Sequence, residues 1–126
     1  MPATTVGRNA LAGLMIGEGN VFNNANARIG VGDGTSSFGA GQTDLQGSNT
    51  FRKVMMASFP NRNEGDNILR FRSSFSTSEA NFAWQEWGVF NAASGGTMFN
   101  RRVVSLGTKT SAQTWEFTVD LTITLV

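Results

Sequence analysis

The C-terminal stretch, residues 113–126, alternates between apolar and polar side chains with almost no errors. Every second position carries a large apolar residue: Trp115, Phe117, Val119, Leu121, Ile123 and Leu125. A period of two predicts a β-strand with one buried face. The threonines on the other face suit the same conformation, because β-branched side chains favour strands. We expect this strand to complete a small β-domain.

Shorter stretches with a similar pattern predict five further strands. They cover residues 27–31, 51–59, 68–75, 82–91 and 97–106. Pro60 and the polar residues 61–67 separate the second of these from the third, which predicts an antiparallel hairpin between them. Several short strands at this spacing favour an all-β fold, an antiparallel β-sandwich or a barrel-like sandwich.

One short helix is predicted near the N-terminus. Residues 9–18 carry apolar side chains in a short stripe, with Asn9 as the candidate N-cap. Residues 1–8 then form an N-terminal arm. Residues 32–49 are rich in glycine, serine, threonine and glutamine, and we expect a long, ordered glycine-rich loop there, pinned by the isolated apolar residues Phe38 and Leu45. Loops of this length in a compact domain tend to be functional or mobile.

Composition limits the chemistry. A chain of 126 residues is expected to form one domain, 1–126, and it contains neither cysteine nor histidine. Disulfides, thiolate zinc sites and nucleophiles activated by histidine are therefore excluded. Lys53 and Lys109 remain formal candidates for a lysine base, but no nucleophile motif surrounds either. We expect a protein that is not an enzyme and needs no cofactor or metal.

Charge and hydropathy speak against two classes of partner. The formal net charge is +1, so no overall field attracts nucleic acid. Four basic residues could share one sheet face: Arg52, Lys53, Arg70 and Arg72. Single-stranded nucleic acid would also need aromatic side chains on that face, but Phe71 alternates to the opposite face from Arg70 and Arg72. No apolar run approaches the ~18 residues of a membrane span, and residues 1–20 lack the pattern of a signal peptide.

Three segments, in order, resemble a known family. Asn81–Asn91 is similar to the E-x-G-[LV]-[FY]-[DN] segment of tailed-phage virion proteins, especially the N-terminal domain of tail-collar fibre proteins. Two earlier stretches resemble segments that precede it in that domain: Ile29–Gly34 is similar to the glycine-aspartate segment, and Gln42–Leu45 to the threonine-aspartate-leucine segment. Arg52 stands where the family tends to place a basic residue. The resemblance covers roughly residues 27 to 106.

The resemblance implies a non-enzymatic structural protein of a tailed bacteriophage particle, assembled in the cytoplasm of the bacterial host. Small chains of this pattern are similar to capsid decoration (cement) proteins, whose partners are the major capsid protein and copies of themselves, usually as homotrimers. A tail, collar or baseplate protein that holds fibres is the alternative. A glycan-binding module, suggested by the tryptophans alone, is a third.

Cement proteins bridge capsomers through loops, an arm or added strands. The candidate contact residues therefore lie in the arm, the glycine-rich loop, the strand with two tryptophans, and the strand after it: Thr4, Thr5, Asp33, Phe38, Asp44, Trp84, Glu86, Trp87 and Arg101. Glu86 between two tryptophans also suggests glycoside hydrolysis, although a cross-strand pair of Glu86 with Arg101 or Arg102 explains it more simply.

Two loops suggest ligands on composition alone. Gly32-Asp33-Gly34 resembles a phosphate cradle, but no helix pattern follows it, and a glycine turn that closes a strand is the better interpretation. The oxygen-rich residues 61–67 could hold calcium, although their spacing is not that of an EF-hand.

Overall fold

A computed structural model describes residues 3–124, and it is an antiparallel β-sandwich with one short helix. Its elements in chain order are α1 (Thr5–Leu14), β1 (Arg28–Gly32), β2 (Thr50–Val54), β3 (Ile68–Phe75), β4 (Ala83–Phe90), β5 (Arg102–Thr108) and β6 (Trp115–Thr122). One sheet has four strands in the order β2-β1-β4-β5, and the second pairs β3 with β6. The all-β sandwich predicted from the sequence is confirmed.

The core lies between the two sheets and uses the alternation that predicted the strands. In β6 the odd-numbered residues are buried or half-buried, whereas the even-numbered ones are exposed. Leu125 and Val126, the last residues of the predicted strand, lie outside the described residues. Both sheets contribute large side chains to the core: Ile29, Val31, Phe71, Phe75, Trp84, Trp87, Val89, Val119 and Leu121. Burying such side chains is the main driving force for this fold.

The helix begins four residues earlier than predicted. Thr4, rather than Asn9, is the N-cap, because its hydroxyl accepts a hydrogen bond from the Gly7 amide at 2.9 Å. Asn9 lies within the helix on an exposed position. The expected arm of residues 1–8 is therefore wrong for residues 5–8, which are helical, and Met1 and Pro2 lie outside the described residues.

The predicted hairpin of residues 51–59 with 68–75 is wrong. β2 pairs with β1 in the four-stranded sheet, and β3 pairs with β6 in the other. After β2 the chain crosses to the second sheet, where Asn61 forms an isolated bridge with Arg70. The predicted strand over residues 97–106 is also shifted, since Met98 forms only an isolated bridge with Phe90 and β5 begins at Arg102.

The four basic residues do not share one face, because β2 and β3 belong to different sheets. Three of them have acidic partners instead: Arg52 with Asp44, Lys53 with Glu79 and Arg70 with Asp66. The helix among residues 3–124 is too short to cross a membrane.

Candidate functional site: a buried carboxylate that holds the loop between β1 and β2

Residues 33–49 link β1 to β2 without helix or strand, and they pack over Glu86 and Phe90 on the outer face of the four-stranded sheet. Glu86 on β4 lies beneath them and pairs in register with Gly32 on β1. A Cβ atom on Gly32 or on Gly34 would overlap the Glu86 carboxylate. The missing side chains at these two glycines therefore make the space that the carboxylate fills.

Every hydrogen bond that fixes this loop to Glu86 comes from a backbone amide. Gly34 and Gly47 donate to Glu86 Oε2 at 2.9 and 2.7 Å, and Gln46 donates to Oε1 at 2.9 Å. The side chain of Glu86 is fully buried. An ionised carboxylate accepts stronger hydrogen bonds from amides than a neutral group does. The Glu86 carboxylate therefore holds both ends of the loop at the same place.

Arg101 neutralises this carboxylate. Its Nε lies 2.6 Å from Glu86 Oε1, and neither side chain is exposed. Its Nη1 donates to Ser36 O at 3.0 Å and to Gln42 Oε1 at 3.1 Å, so the guanidinium also fixes the middle of the loop. The predicted pair of Glu86 with Arg101 is confirmed. It is buried rather than exposed, which makes breaking it much more costly than losing a surface pair.

Asp33 closes the base of the loop against Asn49. Its amide donates to Asn49 O at 3.1 Å, and its two carboxylate oxygens accept from the Asn49 amide at 3.0 Å and from Asn49 Nδ2 at 2.8 Å. These hydrogen bonds, that from the Asn49 side chain first, hold the pKa of Asp33 below its usual 3.8. Gly32-Asp33-Gly34 thus ends β1 and receives a carboxylate of its own chain, that of Glu86.

Arg52 holds the second half of the loop from β2. Its Nη2 lies 3.4 Å from Asp44 Oδ1, and its guanidinium carbon lies 3.6 Å from the centre of the Phe90 ring. Leu45 is buried beside Phe90 and Met98 in a small second apolar cluster. The position of Arg52 after the loop therefore has a structural reason, since the side chain joins the loop to β4.

The helix is tied to the same loop. Thr5 donates its amide to Ala40 O at 2.8 Å, and Thr4 is fully buried, with its hydroxyl donating to Met98 O at 2.6 Å. Of the contact residues predicted in the arm, Thr5 is exposed and Thr4 is not. Thr5 therefore ties the helix to the loop, and Thr4 ties it to the segment between β4 and β5.

The remaining predicted contact residues fall into two groups. Phe38 is half-buried and Asp44 is exposed, so both are on the loop surface. Trp84 and Trp87 are only 1% and 6% exposed and pack against Phe117 in the core. An unbroken strand would place these two indoles on opposite faces; the pairing register shifts between Trp84 and Glu86, which lets both point inward.

Several members of the site carried no signal in the sequence. The amides of Gln46 and Gly47, the Ser36 carbonyl and the Gln42 side chain act through positions that only the folded loop creates. The glycines were the available clue, because a glycine beside a strand indicates close approach of another group.

The other groups considered for chemistry are engaged within the chain. Lys53 Nζ lies 2.7 Å from Glu79 Oε2, and the buried Lys109 donates to Ser76 O at 2.6 Å and to Asn81 Oδ1 at 2.8 Å. Within residues 3–124 no three histidine, cysteine, aspartate or glutamate side chains are grouped as a metal site would require.

Comparisons with known proteins add no relative. No protein-family model matches the chain, and neither a curated protein nor a solved structure matches it significantly.

Proposed function

We propose that this chain is a non-enzymatic structural protein of a tailed bacteriophage particle, where it binds the outside of the head as a capsid decoration protein. Its partners in that role are the major capsid protein and further copies of the chain, arranged as a trimer. The ordered resemblance of Ile29–Gly34, Gln42–Leu45 and Asn81–Asn91 to phage virion proteins supports the particle.

One structural observation supports a scaffolding use of those segments. The residues that carry the resemblance meet in a single network, in which Glu86 receives the loop amides and Arg52 holds Asp44. A catalytic carboxylate has to reach its substrate, whereas Glu86 is fully buried and already accepts four hydrogen bonds. The motif therefore suits a protein that presents a fixed surface.

A fixed loop is useful to a decoration protein. A loop that is ordered before binding loses little conformational entropy when it meets a partner, so more of the contact energy appears as affinity. Residues 35–37, 41 and 43–44 are exposed along the loop while its backbone is held from below. This arrangement would offer polar contacts to a capsid surface without a cleft.

A tail, collar or baseplate protein is the second candidate. The resemblance of Asn81–Asn91 to tail-collar fibre proteins favours it directly, and the same fixed loop would serve there. The glycan-binding alternative loses the two indoles that suggested it, since Trp84 and Trp87 are almost completely buried and offer no ring face to a sugar.

Immunogold electron microscopy of purified particles, with antibody raised against the chain, separates the candidates. Dense label over the head is the expected result. Label confined to the neck or tail would favour the fibre-holding role. Absence of label, with an antibody that detects the chain in lysate, would contradict both.

A further inference from the structure

The four-stranded sheet extends past the two-stranded sheet on one side. β3 packs against β1 and β2. β6 lies beneath β4, because Phe117 contacts both Trp84 and Trp87 through edge-to-face ring pairs at 5.7 and 5.9 Å. Among residues 3–124 no strand lies beneath β5 beside β6. The two-stranded sheet therefore ends at β6, and among the described residues it has no strand that would cover the inward face of β5.

An open groove of about 460 Å³ marks this place, and we call it the edge groove. Its walls are mostly apolar, with two side chains from β5, two from β6 and one from β4: Val104, Leu106, Phe117, Val119 and Trp87. Arg102 on β5 and Asp120 on β6 add one charge of each sign. Its apolar side chains match the inward face of an added strand, on which every second residue points to the core.

The backbone of β6 is open along the same groove. The outer edge of β3 is covered, since Met56 donates to Arg72 O at 2.8 Å, and Asn61 and Arg70 exchange hydrogen bonds at 3.0 and 2.8 Å. Within the described part of the chain, β6 pairs with β3 on one edge and with nothing on the other. A row of free amides and carbonyls beside an apolar groove is the arrangement used in strand addition.

Charge on β6 indicates what kind of strand would fit. Glu116 and Asp120 are exposed on its outward face, and β3 places Arg70 opposite Asp120. A second β6 would bring carboxylates against carboxylates, which is unfavourable for directly opposite residues. A strand with the β3 pattern, apolar residues inward and arginine or lysine outward, satisfies the groove and the charges together.

We propose that the free edge of β6 binds an extended segment of a partner protein in which apolar residues alternate with basic ones. The segment pairs with β6 as a third strand and covers Val104 and Leu106. This inference deepens the proposed structural role and rests on it for its biological meaning. Its test uses the purified chain and no particles, so its failure is distinguishable from failure of the immunogold experiment.

The probe is a labelled peptide with capped ends that copies residues 67–76 of this chain, NILRFRSSFS, because β3 is the strand that β6 already accepts. Its matched control replaces both arginines by glutamate. Fluorescence anisotropy with the full chain is expected to show saturable binding of the basic peptide, with the acidic peptide weaker by about tenfold or more.

Two neighbouring positions on β5 give a matched pair of protein variants. Leu106 and Val103 are 37% and 38% exposed, but only Leu106 lines the edge groove. Leu106→Glu is expected to weaken peptide binding about tenfold or more, whereas Val103→Glu leaves it unchanged. Equal effects of both variants, equal binding of both peptides, or no saturable binding would overturn the proposal.

A variant that reverses a charge on β6 still tests the proposal if Leu106→Glu does not fold. Glu116→Lys changes an exposed residue of β6 that lies opposite Ser74, and it is expected to favour the acidic peptide over the basic one. Unchanged peptide preference would contradict the proposal. Sedimentation of the chain alone tests whether a second copy of the chain occupies the groove. A dimer that Leu106→Glu abolishes would assign the groove to that second copy and overturn the proposal of a basic partner segment.

Discussion

The outer face of the four-stranded sheet is covered by a fixed loop around Glu86, whereas the edge groove between β5 and β6 is open. On the outer face, a segment without helix or strand is fixed because its amides end on the buried Glu86 carboxylate. At the edge groove two regular strands leave a row of backbone groups free in the described part of the chain. Regular secondary structure does not by itself complete the hydrogen bonding of a segment: among the described residues a loop without helix or strand is fixed, while one edge of a strand has no partner.

Glu86→Gln should show the largest effect on the outer face. It leaves the Arg101 charge buried without a partner and replaces one acceptor by a donor that faces loop amides. Breaking a buried pair in this way costs about 3–5 kcal/mol of unfolding free energy. Denaturant unfolding measures the loss, with Glu116→Gln on the exposed face of β6 as the control that changes stability by less than about 0.5 kcal/mol. Equal stability of the two variants would show that Glu86 does not hold the loop in place.

Gly47→Ala tests how closely the loop packs. A Cβ atom at Gly47 would overlap Asp33 Oδ1 and the Gly34 amide, and forcing apart such contacts costs about 1–3 kcal/mol. Gly41 is the matched control in the same loop, because a Cβ atom there has no heavy atom within 4 Å. Thermal unfolding of the two alanine variants should therefore differ clearly. A Gly47→Ala variant as stable as Gly41→Ala would mean that the loop packs less closely around Gly47 than the contacts with Asp33 and Gly34 indicate.

Asp33 should add a small dependence of stability on pH. Its pKa is lowered in the folded chain by hydrogen bonds from Asn49, so its contribution is present above the usual 3.8 and is lost as pH falls through the lower folded value. The side chain is half-exposed, which limits the effect to less than about 1 kcal/mol. Unfolding free energies from about pH 6 to about pH 3 should fall less steeply for Asp33→Asn than for the unchanged chain. Parallel profiles would contradict the assignment.

Leu106→Glu should have the smallest effect on stability, because the edge groove is open to solvent. Leu106 is 37% exposed, and a surface substitution of this kind changes the unfolding free energy by about 0.5 kcal/mol or less. The same measurement on Val103→Glu gives the comparison. A loss of several kcal/mol at Leu106 alone would show that the groove is closed in solution, and the contrast between the two regions would then fail.

The strands that follow a strict period were predictable, and their partners were not. The alternation in Ile68–Phe75 gave the bounds of β3 without error, and that of residues 115–122 gave the buried face of β6. The pairing of β3 with β6 joins residues at least 40 positions apart in the sequence, and nothing local in residues 51–75 indicates it. The expected hairpin used the nearer strand, which the fold places in the other sheet.

The sequence allowed the charged residues of the site to be predicted, but not the fact that they are buried. Glu86 was expected to pair with Arg101 or Arg102, and the structure pairs it with Arg101, which lies directly before β5. Their complete burial depends on the loop that covers them, and that loop is held through amides of residues such as Gln46 whose side chains give no warning. Asn9 shows the same limit for the helix, because Thr4 became the cap through contacts with Met98 that lie far away in sequence.

Hydrogen exchange of individual amides, followed by NMR, tests most directly whether Glu86 fixes the loop. The amides of Gly34, Gln46 and Gly47 donate to a buried carboxylate, so we expect them to exchange as slowly as the amides that pair β1 with β4. Exchange of these three amides at the rate of exposed loop residues such as Gly41, while β1 and β4 remain protected, would contradict it.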